Sequence, residues 1–83
     1  MKKFCFEIYT NNPETGEEGW EIEHVIVYAK NLSEAKEIIE TYPNFDCIVT
    51  TGDWFGANWR WPIWNGEKVI GYGDLRNGKG DIN

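Results

Sequence analysis

The only histidine of the chain, His24, stands beside Glu21 and Glu23 in the stretch WEIEHVIVYA. An imidazole near carboxylates is the raw material of general acid–base catalysis. Successive residues of a strand point to opposite faces, so neither Glu21 nor Glu23 can orient the ring from its own strand. His24 therefore reads as a structural or solvated side chain. Asp53, after TTG, has no second carboxylate at a useful spacing. Cys5 and Cys47 do not form a CxxC pair, and one histidine cannot complete a typical zinc site. The stretch GYGDLRNGKG is rich in glycine but lacks the phosphate-loop order, and no helix follows it to supply a positive N-terminus. No catalytic pattern, metal site or cofactor site emerges, and the chain reads as a non-enzyme.

What remains is recognition chemistry. The segment DWFGANWRWPIWNGE, residues 53–67, holds four tryptophans and a phenylalanine. Each buried indole removes some 200 Å² from water, worth roughly 5 kcal/mol. A chain of 83 residues with 16% aromatics must use several of these rings as core. Trp59, Trp61 and Ile63 are expected to pack against Trp20, Ile22 and Ile26 on the second side of a sheet. Trp54 and Phe55, in a glycine-bounded loop, and Arg60 and Trp64, on the opposite face of their strand, are the candidates for a partner surface. Tryptophan and arginine dominate binding hot spots.

Charge sets the kind of partner. The net charge is −6, and residues 1–40 carry nine acids against four lysines, whereas residues 41–83 carry five acids against four bases. Binding to DNA or RNA needs cations that displace counterions from phosphates, so direct nucleic-acid binding is disfavoured. A protein with a basic surface, steered in by the field of Glu14, Glu17, Glu18 and Glu21, fits better. A homodimer through the aromatic group is a further option. The alternative class is a small-ligand, nucleotide or single-strand binder with a tryptophan-lined surface.

The elements that must position these groups follow from periodicity. KKFCFEIYT alternates as a first strand, and WEIEHVIVYA is a second, joined by the turn-rich NNPETGEEG. The second strand is apolar on both faces, with Val25, Val27 and Ala29 on one and Ile22, Ile26 and Tyr28 on the other, so it is expected to be central and covered on both sides. NLSEAKEIIETYP predicts a helix capped by Asn31 with Glu34 answering it, with an apolar stripe of Leu32, Ala35, Ile38, Ile39 and Tyr42 and a stop at Pro43. FDCIVTT is a third strand. WRWPIW and EKVIGY flank Asn65-Gly66, which predicts a two-residue hairpin pairing Trp64 with Glu67, Trp61 with Ile70 and Trp59 with Tyr72. Pro62, lacking an N–H, points to an edge strand or a free amide side. The fold class is thus α+β: a small, mainly antiparallel sheet of ββαβ order plus a C-terminal Trp-rich hairpin, with one helix on one face. Residues 1–83 form a single domain, with 74–83 as a loose tail.

Two cysteines in strand-like runs read as reduced core residues of a cytoplasmic protein, with a Cys5–Cys47 disulfide as the other reading. MKKFCFEIYT is not a signal peptide, and no run reaches membrane-spanning length. The stretch EHVIVYAKNLSEAKEIIETYPNFDCIVTT, about a third of the chain, resembles the strand–capped helix–strand unit of small phage-encoded proteins. It is similar in outline to phage inhibitors of host RNA polymerase. That resemblance implies a short α+β domain whose acidic face blocks a basic nucleic-acid channel, an inhibitor or anti-defence protein acting on a polymerase or a CRISPR nuclease. It assigns no residue roles, and the Trp-rich hairpin has no counterpart in it.

Overall fold

A computed structural model describes residues 1–11, 20–52, 61–74 and 79–82, with Trp20, Asp74 and 79–82 described by their backbone only. In chain order the elements are β1 (Lys2–Asn11), β2 (Trp20–Ala29), α1 (Leu32–Ile39), β3 (Phe45–Gly52), β4 (Trp61–Trp64), β5 (Val69–Asp74) and β6 (Lys79–Ile82). The strands make one mixed sheet of order β3-β1-β2-β4-β5-β6. The class is α+β, mainly sheet. All pairings are antiparallel except β2 with β4, which is parallel and rests on a single register pair, Ile26↔Ile63.

The alternation of β1 and β2 fixes their register. Phe4↔Val27 and Phe6↔Val25 put the large apolar side chains opposite each other on one face, and Cys5↔Ile26 does so on the other. A slip of one residue would carry each set to the wrong side. On the first face Phe6, Ile8, Val25, Val27 and Ala29 form a buried cluster with Ala35 and Ile39 of the helix and Trp64 of β4. On the second face Cys5, Ile26 and Ile63 form a smaller buried cluster, flanked by Tyr28, Trp61 and Ile70. The doubly apolar β2 is interior and contributes to both.

Helix α1 begins where the sequence places its cap. The Asn31 side chain accepts from the Glu34 N–H at 2.9 Å, while Glu34 Oε1 accepts from the Lys30 N–H at 3.2 Å. The helix ends at Ile39, before the expected limit. The Thr41 and Tyr42 amides donate to the Ile38 and Ile39 carbonyls, tightening the last turn. Asn44, at φ 62, then reverses the chain, and its carbonyl accepts from the Asn11 N–H at 2.8 Å. Of the expected stripe, Ala35 and Ile39 are buried, whereas Leu32 is 40% exposed.

The hairpin differs from its expected form in three ways. Its loop has four residues, Asn65 to Lys68, because the Asn65 side chain accepts from the Glu67 and Lys68 amides at 2.8 and 2.9 Å and so builds a wider turn. Gly66, at φ +100, supplies the left-handed step. A bulge then shifts the register, so Trp64 faces Val69 and Trp61 faces Gly73. The hairpin does not stack on the sheet but extends it edgewise, placing Pro62 in an interior strand that, among the described residues, is tied to β2 at one register pair. Finally, within the segment expected to be a loose tail, 79–82 pair with β5 as β6. A ladder needs only backbone donors and acceptors, so a segment with little apolar content can still extend a sheet.

Candidate functional site

The two faces of the sheet hold their aromatic residues differently. On the helix face Trp64 is 6% exposed. Its indole N–H donates to the Thr41 hydroxyl at 2.9 Å, which itself lies 2.6 Å from the Ile38 carbonyl and 3.2 Å from the Gly66 carbonyl. Tyr42 meets the indole edge-on at 5.1 Å between centroids. Burial, together with the Glu23 carboxylate that accepts a hydrogen bond from the Tyr42 hydroxyl and with Tyr72 nearby, pushes the Tyr42 hydroxyl well above its ordinary range. These contacts clip the β4–β5 hairpin to the end of α1. Trp64 is therefore a core residue, not the exposed anchor that its position opposite Ile63 suggested. The helix face supplies the apolar surroundings, and the bulge leaves the indole turned into them.

On the second face the register lines up a row of side chains across four strands. Thr50 of β3 faces Glu7 of β1, which faces His24 of β2. His24 lies two residues before Ile26 and Trp61 two before Ile63, the paired positions of the parallel strands, so their rings are side by side. They stack at 4.4 Å with an interplanar angle of 10°. His24 Nε2 and Glu7 Oε2 are 3.0 Å apart, and Thr50 donates to Glu7 Oε1 at 3.3 Å. The His24 and Glu7 side chains keep 32% and 28% of their surface. One step along the strands the register pair Tyr9↔Ile22 lies on the same face, with Tyr9 37% and Ile22 51% exposed.

The imidazole has its carboxylate, and within this row the Thr50 hydroxyl touches that carboxylate rather than the ring. Among the described residues no group of three or more His, Cys, Asp or Glu could hold a metal. Cys5 is buried and Cys47 is exposed; they are not bridged, and Cys47 is not the core residue the sequence suggested. Cys5 faces Gly52 and Cys47 faces Tyr9, so the two thiols stand at different levels of the sheet.

Of the residues singled out from sequence, Trp54, Phe55, Arg60, Glu14, Glu17 and Glu18 lie outside the described residues, as do Trp59 and the Trp20 side chain. Glu21 is exposed near the start of β2, opposite Thr10. The Glu7–His24 contact and Tyr9 were not singled out, and Ile22, expected to be covered by the hairpin aromatics, is half exposed instead. Their signal is available in sequence only once the two strands are aligned by their apolar phases: setting Phe4 and Phe6 opposite Val27 and Val25 puts Glu7 opposite His24.

The fold and the site together define a small α+β protein with one closed face and one partly open face. No family model matches this chain, and comparison with curated proteins and with solved structures finds no match. No helix among the described residues is long and apolar enough to cross a membrane.

Proposed function

We propose that the protein is a small, acidic, non-enzymatic binding module whose open sheet face docks on a protein with a basic surface. The observation that carries the reading is the exposed Tyr9–Ile22 pair in the two long strands, bordered on the same face by Glu7 and His24. An isoleucine half out of water has little structural value, whereas an aromatic–aliphatic pair rimmed by polar groups is a usual anchor for a partner. A net charge of −6 favours a cationic partner and speeds encounter with it. In its finer form the reading is a cytoplasmic inhibitor of phage type, directed at a nucleic-acid-handling host protein such as RNA polymerase or a defence nuclease; it rests on the resemblance of residues 23–51 and on the charge.

The nucleotide-stacking alternative gains nothing from the hairpin rings that are described. Trp61 already stacks on His24, and Trp64 is buried. The test is affinity capture from lysate of the encoding cell or its host at low and high salt, with wild type beside Ile22→Glu. A specific basic protein, held by wild type and lost by the variant, is expected. Retention of no specific partner at either salt, or equal retention by both proteins, contradicts the reading.

A further inference from the structure

A second surface of opposite character lies at the other end of β1. Among the described residues, strand β1 pairs with β2 from Lys2 to Asn11 and with β3 from Cys5 to Thr10. Lys2, Lys3 and Phe4 border a notch at this end of the sheet, with Thr51 and Gly52 across from them. A groove of about 620 Å³ occupies it, lined by Lys2, Lys3, Phe4, Tyr28, Leu32 and Thr51 among others. That volume falls within the usual range for small-molecule sites, roughly 300–1,000 Å³.

The lining is amphiphilic, and its charge runs against that of the whole molecule. Phe4, Tyr28 and Leu32 give it two aromatic rings and an exposed isobutyl group. Lys2 and Lys3 supply two ammonium groups, and neither has an ion pair among the described residues. Lys30 follows Ala29, the register partner of Lys2, so three of the four lysines in residues 1–40 converge on this end of the sheet. Long lysine stems lie along apolar surface while their heads stay wet, which suits them to the rim of such a groove. Thr51 adds a hydroxyl that can donate.

We propose that this notch binds a small anionic amphiphile: an aromatic or aliphatic body seated on Phe4, Tyr28 and Leu32, with a carboxylate or sulfonate held by Lys2 and Lys3. The site is separate from the Tyr9–Ile22 surface, which lies toward the opposite end of β1, so either can fail without the other. The expected preference is unusual for a protein of charge −6, whose overall field repels anions and attracts cations.

The probe is 8-anilinonaphthalene-1-sulfonate, titrated into the full chain and read by its fluorescence and by amide shifts in ¹H–¹⁵N spectra. Laurate and dodecyltrimethylammonium serve as a pair of equal chain length and opposite charge. Saturable binding of the sulfonate is expected, with shifts centred on residues 2–4, 28, 32 and 51–52. Laurate should displace it, and the cationic amphiphile should do so at least about tenfold less well. Lys2→Glu/Lys3→Glu should weaken binding by about tenfold or more, since two attractive charges become repulsive. Lys68→Glu, in the hairpin loop, should leave it unchanged. Both variants alter exposed or half-buried surface, and circular dichroism checks that they fold. If the double variant unfolds, Leu32→Glu at the exposed wall takes its place. Absence of saturable binding, shifts centred elsewhere, equal competition by the cation, or unchanged affinity in the charge-reversed variant would each overturn the proposal.

Discussion

Trp64 and Trp61 stand three residues apart in the same short strand and have opposite employments. Trp64 turns toward the helix, is almost wholly buried, and has its N–H satisfied by Thr41. Trp61 turns to the other face, stays half-buried, and lies flat on an imidazole that keeps a third of its own surface. The difference is not in the residue type. It comes from what covers each side of the sheet: α1 with its buried Ala35 and Ile39 on one, and a polar row beginning at Thr50 on the other. An indole is therefore core or surface according to strand phase and the layer above it, and composition alone cannot sort the two.

The contrast can be broken most severely at Trp64. Trp64→Ala removes the largest side chain joining the hairpin to the helix and should cost about 3–5 kcal/mol, measured by urea denaturation; in so small a domain that loss approaches complete unfolding. Gly73→Ala probes the other face. A Cβ there would stand 2.8 Å from Ile26 Cδ1 and 3.4 Å from Ile63 Cδ1, so the buried isoleucines must shift. A loss of about 1–3 kcal/mol is expected. Thr41→Val isolates the polar half of the Trp64 anchor, since it leaves a buried indole N–H without its acceptor. It should cost about 1–3 kcal/mol with the apolar packing unchanged.

Alkaline pH sharpens the comparison further. The Tyr42 hydroxyl is raised above its ordinary value of 10.0 by burial first and by Glu23 next. A raised folded value means that the native state holds the proton more tightly than the unfolded chain does. Its contribution to stability is therefore whole below pH 10 and is lost as pH climbs through the folded value. Tyr42→Phe should flatten the part of the alkaline loss that Tyr42 carries, read as the melting temperature against pH from 8 upward. The smallest stability effect belongs to the open face. Ile22→Thr should change stability by no more than about 0.5 kcal/mol, while weakening a partner complex by about 2 kcal/mol or more.

Part of this arrangement is written locally. The Asn31 and Glu34 cap depends on residues a turn apart: Asn31 accepts from the Glu34 N–H as the sequence indicates, while the Glu34 carboxylate reaches one residue further back, to the Lys30 N–H. The two apolar faces of β2 follow from alternation, and both are buried at Val25, Ile26 and Val27. The hairpin register is a different matter. Asn65-Gly66 marks the turn, but the choice between two and four loop residues depends on the side-chain bonds of Asn65 and on a bulge one residue before it. That choice decides which β5 residue stands opposite each ring. The Glu7–His24–Trp61 row is less legible still, because it needs two strand pairings at once, one of them parallel and held at a single position. Reading Glu21 and Glu23 as the carboxylates near His24 overlooked the one that reaches it from the neighbouring strand.

The most direct test of the central claim is an NMR footprint of the partner captured by wild-type protein. The chain is labelled with ¹⁵N, and the amide and indole resonances are followed as that partner is added. Shifts and broadening are expected at Glu7, Tyr9, Ile22 and His24, with the Trp64 indole N–H unmoved in its contact with Thr41. A footprint centred on the helix and Trp64, with the Tyr9–Ile22 pair silent, would contradict the account.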